Sequence, residues 1–142
     1  MKAAAQGSAE ADAALSRIAP RPAATAWMRQ ITPLLTRKHA GSEPWLAARM
    51  ELASLFQLSR AEALLLDVNA ADQGHCLVID IRAIYGRSKR RLVLLRTAQE
   101  RQALERIARL FDHVDCGPDG PEGNYRQRLY RLKTWLPGLA SI

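Results

Sequence analysis

The sequence predicts an α+β fold, mostly helical, with one antiparallel β-hairpin or small sheet. Three observations carry this. Apolar residues recur at helical spacing in Trp45, Leu46, Leu52, Ala53 and Phe56. Two stretches, Ser59-Arg60-Ala61-Glu62 and Thr97-Ala98-Gln99-Glu100, have the pattern of a capping box at a helix start. Between them lie two β-rich runs, Leu77-Val78-Ile79-Asp80-Ile81 and Arg91 to Leu95, with Gly86 in the connection.

Residues 1–24 are rich in alanine and proline and hold few bulky apolar side chains, so a disordered or loosely structured tail is expected there. The folded domain is expected over 25–142. Trp27, Met28, Ile31, Leu34 and Leu35 predict a first helix, with Pro33 bending or splitting it. Ser42 is placed to cap the next helix, with Pro44 in its first turn and the end near residue 56. Ser59 then opens a helix over 59–67, and Asp72-Gln73-Gly74 is a turn signal.

The hairpin is expected from 76–82 and 90–95. Leu104, Ile107, Ala108 and Phe111 share one face of the helix that Thr97 opens. Gly117 to Gly123 reads as a plain loop. A last helix spans Asn124 to Trp135, with Tyr125, Leu129, Leu132 and Leu136 in register and Arg126, Tyr130 and Lys133 on the opposite face. Arg128 and Arg131 flank that face, and an exposed helix is the expectation.

A chain of 142 residues holds one small domain plus tails. Its formal net charge of +7 points to an acidic partner, of which nucleic acid is the commonest. Cys76 and Cys116 are too few for a disulfide framework. His75-Cys76 and His113-x-x-Cys116 lack the repeated Cys-x-x-Cys spacing of a zinc site, so neither a metal nor another cofactor is expected. The N-terminus lacks the apolar core of a signal peptide, and no run approaches the roughly 18 apolar residues of a membrane span. A cytoplasmic location without membrane association is the expectation.

Phe56 to Leu66, then Ala71-Asp72-Gln73-Gly74, then Arg87-Ser88-Lys89-Arg90-Arg91-Leu92-Val93 resemble the first half of a tyrosine recombinase (phage-integrase-type) catalytic domain, from about Ser42 to Tyr130. The resemblance implies a partial catalytic-domain fold in which a helix carrying an Arg-x-x-Glu box leads into a β-hairpin carrying a catalytic lysine. In this chain Ser59 occupies the place of the arginine, while Glu62 keeps its own. The family's arginine grips the scissile phosphate through a planar, permanently charged fork that serine lacks. Arg60 sits about 100° around the helix from that place. Ser59, Arg60 and Glu62 therefore read as a vestigial active-site box.

With Val93 aligned to the family's valine, Gly86 falls at the lysine position and Leu94 at the proline. No His-x-x-Arg box follows, because none of His39, His75 and His113 has an arginine three residues on. Tyr125 and Tyr130 precede the place of that box, so neither matches the nucleophile. The catalytic groups of such a site act as a unit. The resemblance thus implies double-stranded DNA as partner and no catalytic residues, with Arg82, Arg87, Lys89, Arg90 and Arg91 as the DNA-binding set. It points to DNA integration or recombination of a mobile element.

Two other readings stay open. Leu52 to Glu62 resembles the opening of a helix-turn-helix, and Arg87 to Arg91 would then be the wing of a winged regulator. Alternatively the apolar helices form an interaction module that binds a full-length recombinase or a second copy of the chain.

Overall fold

The structure, a computed structural model, describes residues 26–35, 41–82 and 88–138. The expectations for the tail over 1–24 and for Gly86 and Arg87 lie outside the described residues. Helix α1 covers Ala26–Leu35, α2 Pro44–Phe56, α3 Arg60–Leu65 and α4 Val68–Ala71. Strands β1, Cys76–Arg82, and β2, Ser88–Leu94, follow, and then α5, Ala98–Leu110, and α6, Tyr125–Trp135. This is the predicted order with one addition, the single turn α4.

Helix α1 runs through Pro33 instead of splitting there, and it buries Trp27, Met28 and Ile31. Pro33 has no amide to donate to the carbonyl four residues back, and the helix ends two residues after it. Helix α2 is the hub of the fold and packs on α1, α3 and α5. It buries residues on most of its circumference, including Leu46, Met50, Ala53 and Phe56. Its N-cap is Glu43 rather than Ser42, because Pro44 takes the first helical position.

Helix α3 lies between α2, α6 and β1. The Ser59 box that opens it is complete: Ser59 Oγ accepts from the Glu62 amide at 3.1 Å, and Glu62 Oε1 accepts from the Ser59 amide at 2.8 Å. At Thr97 the exchange is only half of that pattern. Thr97 Oγ1 accepts from the Glu100 amide, but the Glu100 carboxylate takes the amide of Arg96 instead of that of Thr97.

The two strands pair antiparallel, with Cys76 opposite Leu94 and Arg82 opposite Ser88. The second strand starts two residues earlier than expected. Opposed residues share a face, so Leu77, Ile79, Val93 and Arg91 point one way and Val78, Asp80, Arg90 and Leu92 the other. Leu77, Ile79 and Val93 are buried toward α3 and α4, whereas Asp80 and Arg90 are exposed.

Candidate nucleic-acid interface

The hairpin and the start of α3 bring Ser59 and Arg91 together. Glu62 joins them. Its Oε2 accepts from Arg91 Nε and its Oε1 from Arg91 Nη2, both at 2.7 Å, while Oε1 also holds the Ser59 amide. Arg91 Nη2 reaches on to the Gln57 carbonyl at 3.3 Å. Burial pushes the Glu62 carboxyl up, but the Arg91 hydrogen bonds, the Ser59 amide and the Arg91 charge outweigh it and hold it below its ordinary value. Arg91, expected among the phosphate contacts, thus has a carboxylate partner inside the protein.

Arg90 is exposed on the opposite face of β2, across from Asp80. The Lys89 backbone pairs with Ile81, and that of Arg82 with Ser88, so both positions lie at the tip end of the hairpin. Arg87 lies outside the described residues. Ser59 is occupied as a cap. Arg60, half-buried, donates Nε to the Tyr125 hydroxyl at 2.9 Å, which ties the start of α3 to the start of α6.

The Ala71-Asp72-Gln73-Gly74 turn has a structural anchor that the sequence did not disclose. Arg101 of α5 donates two bonds to the Asp72 carboxylate, at 2.7 and 2.5 Å, and a third to the Gly74 carbonyl at 2.7 Å. The Arg101 hydrogen bonds hold the Asp72 carboxyl below its ordinary value, against the opposing effect of burial.

The loop over 117–123 is more than a connection. It delivers Glu122, 2% exposed, to Arg49 of α2, which is fully buried. Arg49 donates Nε to Glu122 Oε1 and Nη2 to Oε2, both at 2.7 Å. Its Nη1 caps the carbonyls of Ala63 and Leu66 at the end of α3, and its guanidinium lies 4.8 Å from the Phe111 ring centroid. Arg128 of α6, expected on an exposed helix, is buried as well. It donates to the carbonyls of Leu64, Cys116, Gly117 and Gly123.

Sequence reading missed these two arginines, though both carry a signal. Arg49 follows Leu46 by three residues and precedes Ala53 by four, and Arg128 precedes Leu132 by four, so each charge stands on an apolar stripe. Nothing around Glu122 offers a comparable signal.

Among the described residues, no three His, Cys, Asp or Glu side chains gather as a metal site. No described helix is long and apolar enough to cross a membrane. No family model, curated protein or solved structure matches the chain.

Proposed function

We propose that this protein binds double-stranded DNA without cutting it, as a non-catalytic relative of the tyrosine recombinases, acting in or derived from DNA integration or recombination of a mobile element. The observation that carries the reading is the Glu62–Arg91 pair. It fixes the vestigial box on α3 to a hairpin whose second strand begins Ser88-Lys89-Arg90-Arg91. Arg90 and Lys89, together with Arg82 and Arg87, are the phosphate contacts in this reading, and Arg91 positions the strand. A net charge of +7 supplies the general attraction.

Two contacts support the non-catalytic part of the reading. Ser59 spends its hydroxyl on a helix cap, and Arg60 is turned to Tyr125. The winged-helix alternative is weakened by α3 itself. Its six residues bury Glu62, Ala63 and Leu64, which leaves little face for a major groove.

Titrating a labelled duplex across a salt series tests the proposal. The Lys89→Ala/Arg90→Ala double variant is expected to flatten the log K versus log salt slope by roughly 1.8, about 0.9 for each lost phosphate contact. The loss should be alike across duplex sequences, since phosphate contacts position rather than specify. Binding equal to the parent at matched salt would sink the interface and favour the interaction-module reading. A covalent adduct at Tyr125 or Tyr130 in the same incubations would overturn the non-catalytic part.

A further inference from the structure

Helix α6 carries Arg126, Arg128, Arg131 and Lys133 and no carboxylate. Arg128 is turned inward, and Arg131 gives a hydrogen bond to the Glu122 carbonyl. Arg126, Tyr130 and Lys133 are exposed and fall within about 60° of one another around the helix. Tyr130 is 72% exposed, one of only two large apolar side chains so placed among the described residues.

This face does not stand alone. The loop over 118–123 folds back beside it, and together they form a groove of about 730 Å³ lined by Pro118, Pro121, Arg126, Gln127, Tyr130 and Arg131. The size falls within the roughly 300–1,000 Å³ usual for ligand clefts. Of the two carboxylates in this loop, Glu122 is neutralised by Arg49 and buried in the core, and Asp119 is exposed and does not line the groove. The groove therefore presents cations along an uncovered aromatic ring.

We propose that this groove holds a single-stranded nucleic-acid segment, with a base stacked on Tyr130 and the adjoining phosphates on Arg126 and Arg131. An aromatic face interleaved with cations suits a single strand, because unpaired bases offer their π-faces while the backbone follows the positive track. A duplex keeps its bases stacked internally and would leave the ring unused. None of the residues lining this groove belongs to the hairpin, and the proposal does not depend on the duplex reading.

The test uses the full chain, a labelled 15-nucleotide oligothymidylate and a duplex of the same length. Tyr130→Ala is expected to weaken single-strand binding on the order of tenfold, the loss that follows removal of one base stack, and to leave duplex binding unchanged. Tyr130→Phe keeps the ring and should bind as the parent does. Arg126→Gln should weaken binding and reduce its salt dependence. A halogenated-uracil oligonucleotide should photocrosslink at Tyr130, located by mass spectrometry.

Tyr130 is exposed, so its variants are expected to fold as the parent. The Lys89→Ala/Arg90→Ala variant should retain single-strand binding, so failure of the hairpin interface and failure of this groove give different results. Unchanged single-strand binding by Tyr130→Ala overturns the proposal. An equal loss on single strand and duplex overturns it too, and points to a phosphate-binding helix face instead.

Discussion

The Glu62 carboxylate takes hydrogen bonds from the Ser59 amide in its own helix turn and from the Arg91 guanidinium across the sheet. One side chain therefore closes a cap and docks a strand, and the two roles are separable by mutation. Glu62→Gln keeps an acceptor for the Ser59 amide, since glutamine also serves at this position of a capping box. It loses the charge-assisted pair with Arg91. At pH 7 the variant should be less stable by about 1–3 kcal/mol. The parent carboxyl is held below its ordinary value of about 4.3, so the pair's stabilisation is fully present above that pH. It is lost as pH falls through the folded-state value. Urea denaturation at pH 7 and pH 3 should show the gap between parent and Glu62→Gln narrowing at the lower pH. Asp72 is depressed in the same direction by Arg101, so both proteins should retain some acid sensitivity.

At the scale of the element, the 117–123 loop is built around contacts that only glycine permits. A Cβ on Gly120 would stand 1.9 Å from the Asp115 carbonyl oxygen, a backbone atom that cannot swing aside. Gly74 is a contrast: it has φ +91° but nothing within 4 Å of the added carbon. Gly120→Ala must displace the chain that delivers Glu122 and should cost about 1–3 kcal/mol or more, as other overpacked sites do. Gly74→Ala should cost about 1–2 kcal/mol from backbone strain alone. Urea midpoints rank the two, and a milder effect at Gly120 would mean the loop yields locally without moving Glu122. The helices were legible because their apolar stripes and the Ser59 cap are local signals. Helix α4 was not, since four residues are too few to show a period, though Asp67 caps it by accepting from the Ala70 amide. The early start of β2 was hidden because pairing with β1, not the polar Ser88-Lys89 pair itself, sets the strand's length. At the candidate site the basic run was legible as charge. Which of its members is tied to Glu62 depended on the sheet register, which residue type alone does not specify.

Across the whole molecule, positive charge divides into two populations. Arg49, Arg91, Arg101 and Arg128 are engaged with carboxylates or carbonyls of the fold, while Arg90, Arg126 and Lys133 are exposed. The first population holds the parts together. Arg49 and Arg128 both bond carbonyls toward the end of α3 and both reach the 117–123 loop, so α2, α3 and α6 share one buried polar centre with Glu122 in it. Burial lowers the pKa of Arg128, and the nearby Glu122 charge opposes that fall. Glu122→Ala leaves Arg49 fully buried without its counter-charge and is expected to cost about 3–5 kcal/mol, as breaking one side of a buried pair does. Against a typical total of about 5–15 kcal/mol, that loss should lower the midpoint of the entire domain rather than loosen a single loop. Circular dichroism and tryptophan fluorescence should therefore fall together in urea, because Trp45 and Trp135 are carried by elements tied to this centre. Replacing the pair with apolar side chains, Arg49→Met with Glu122→Leu, removes the charge stranded at Arg49 but not the whole penalty, because buried Arg128, 3.8 Å from Glu122, still loses its counter-charge. The Ala63 and Leu66 carbonyls would still lose their donor at the end of α3. The double variant should consequently lie between Glu122→Ala and the parent. Recovery to the parent's stability would show that those carbonyls find other partners and that Arg49 serves only to neutralise Glu122.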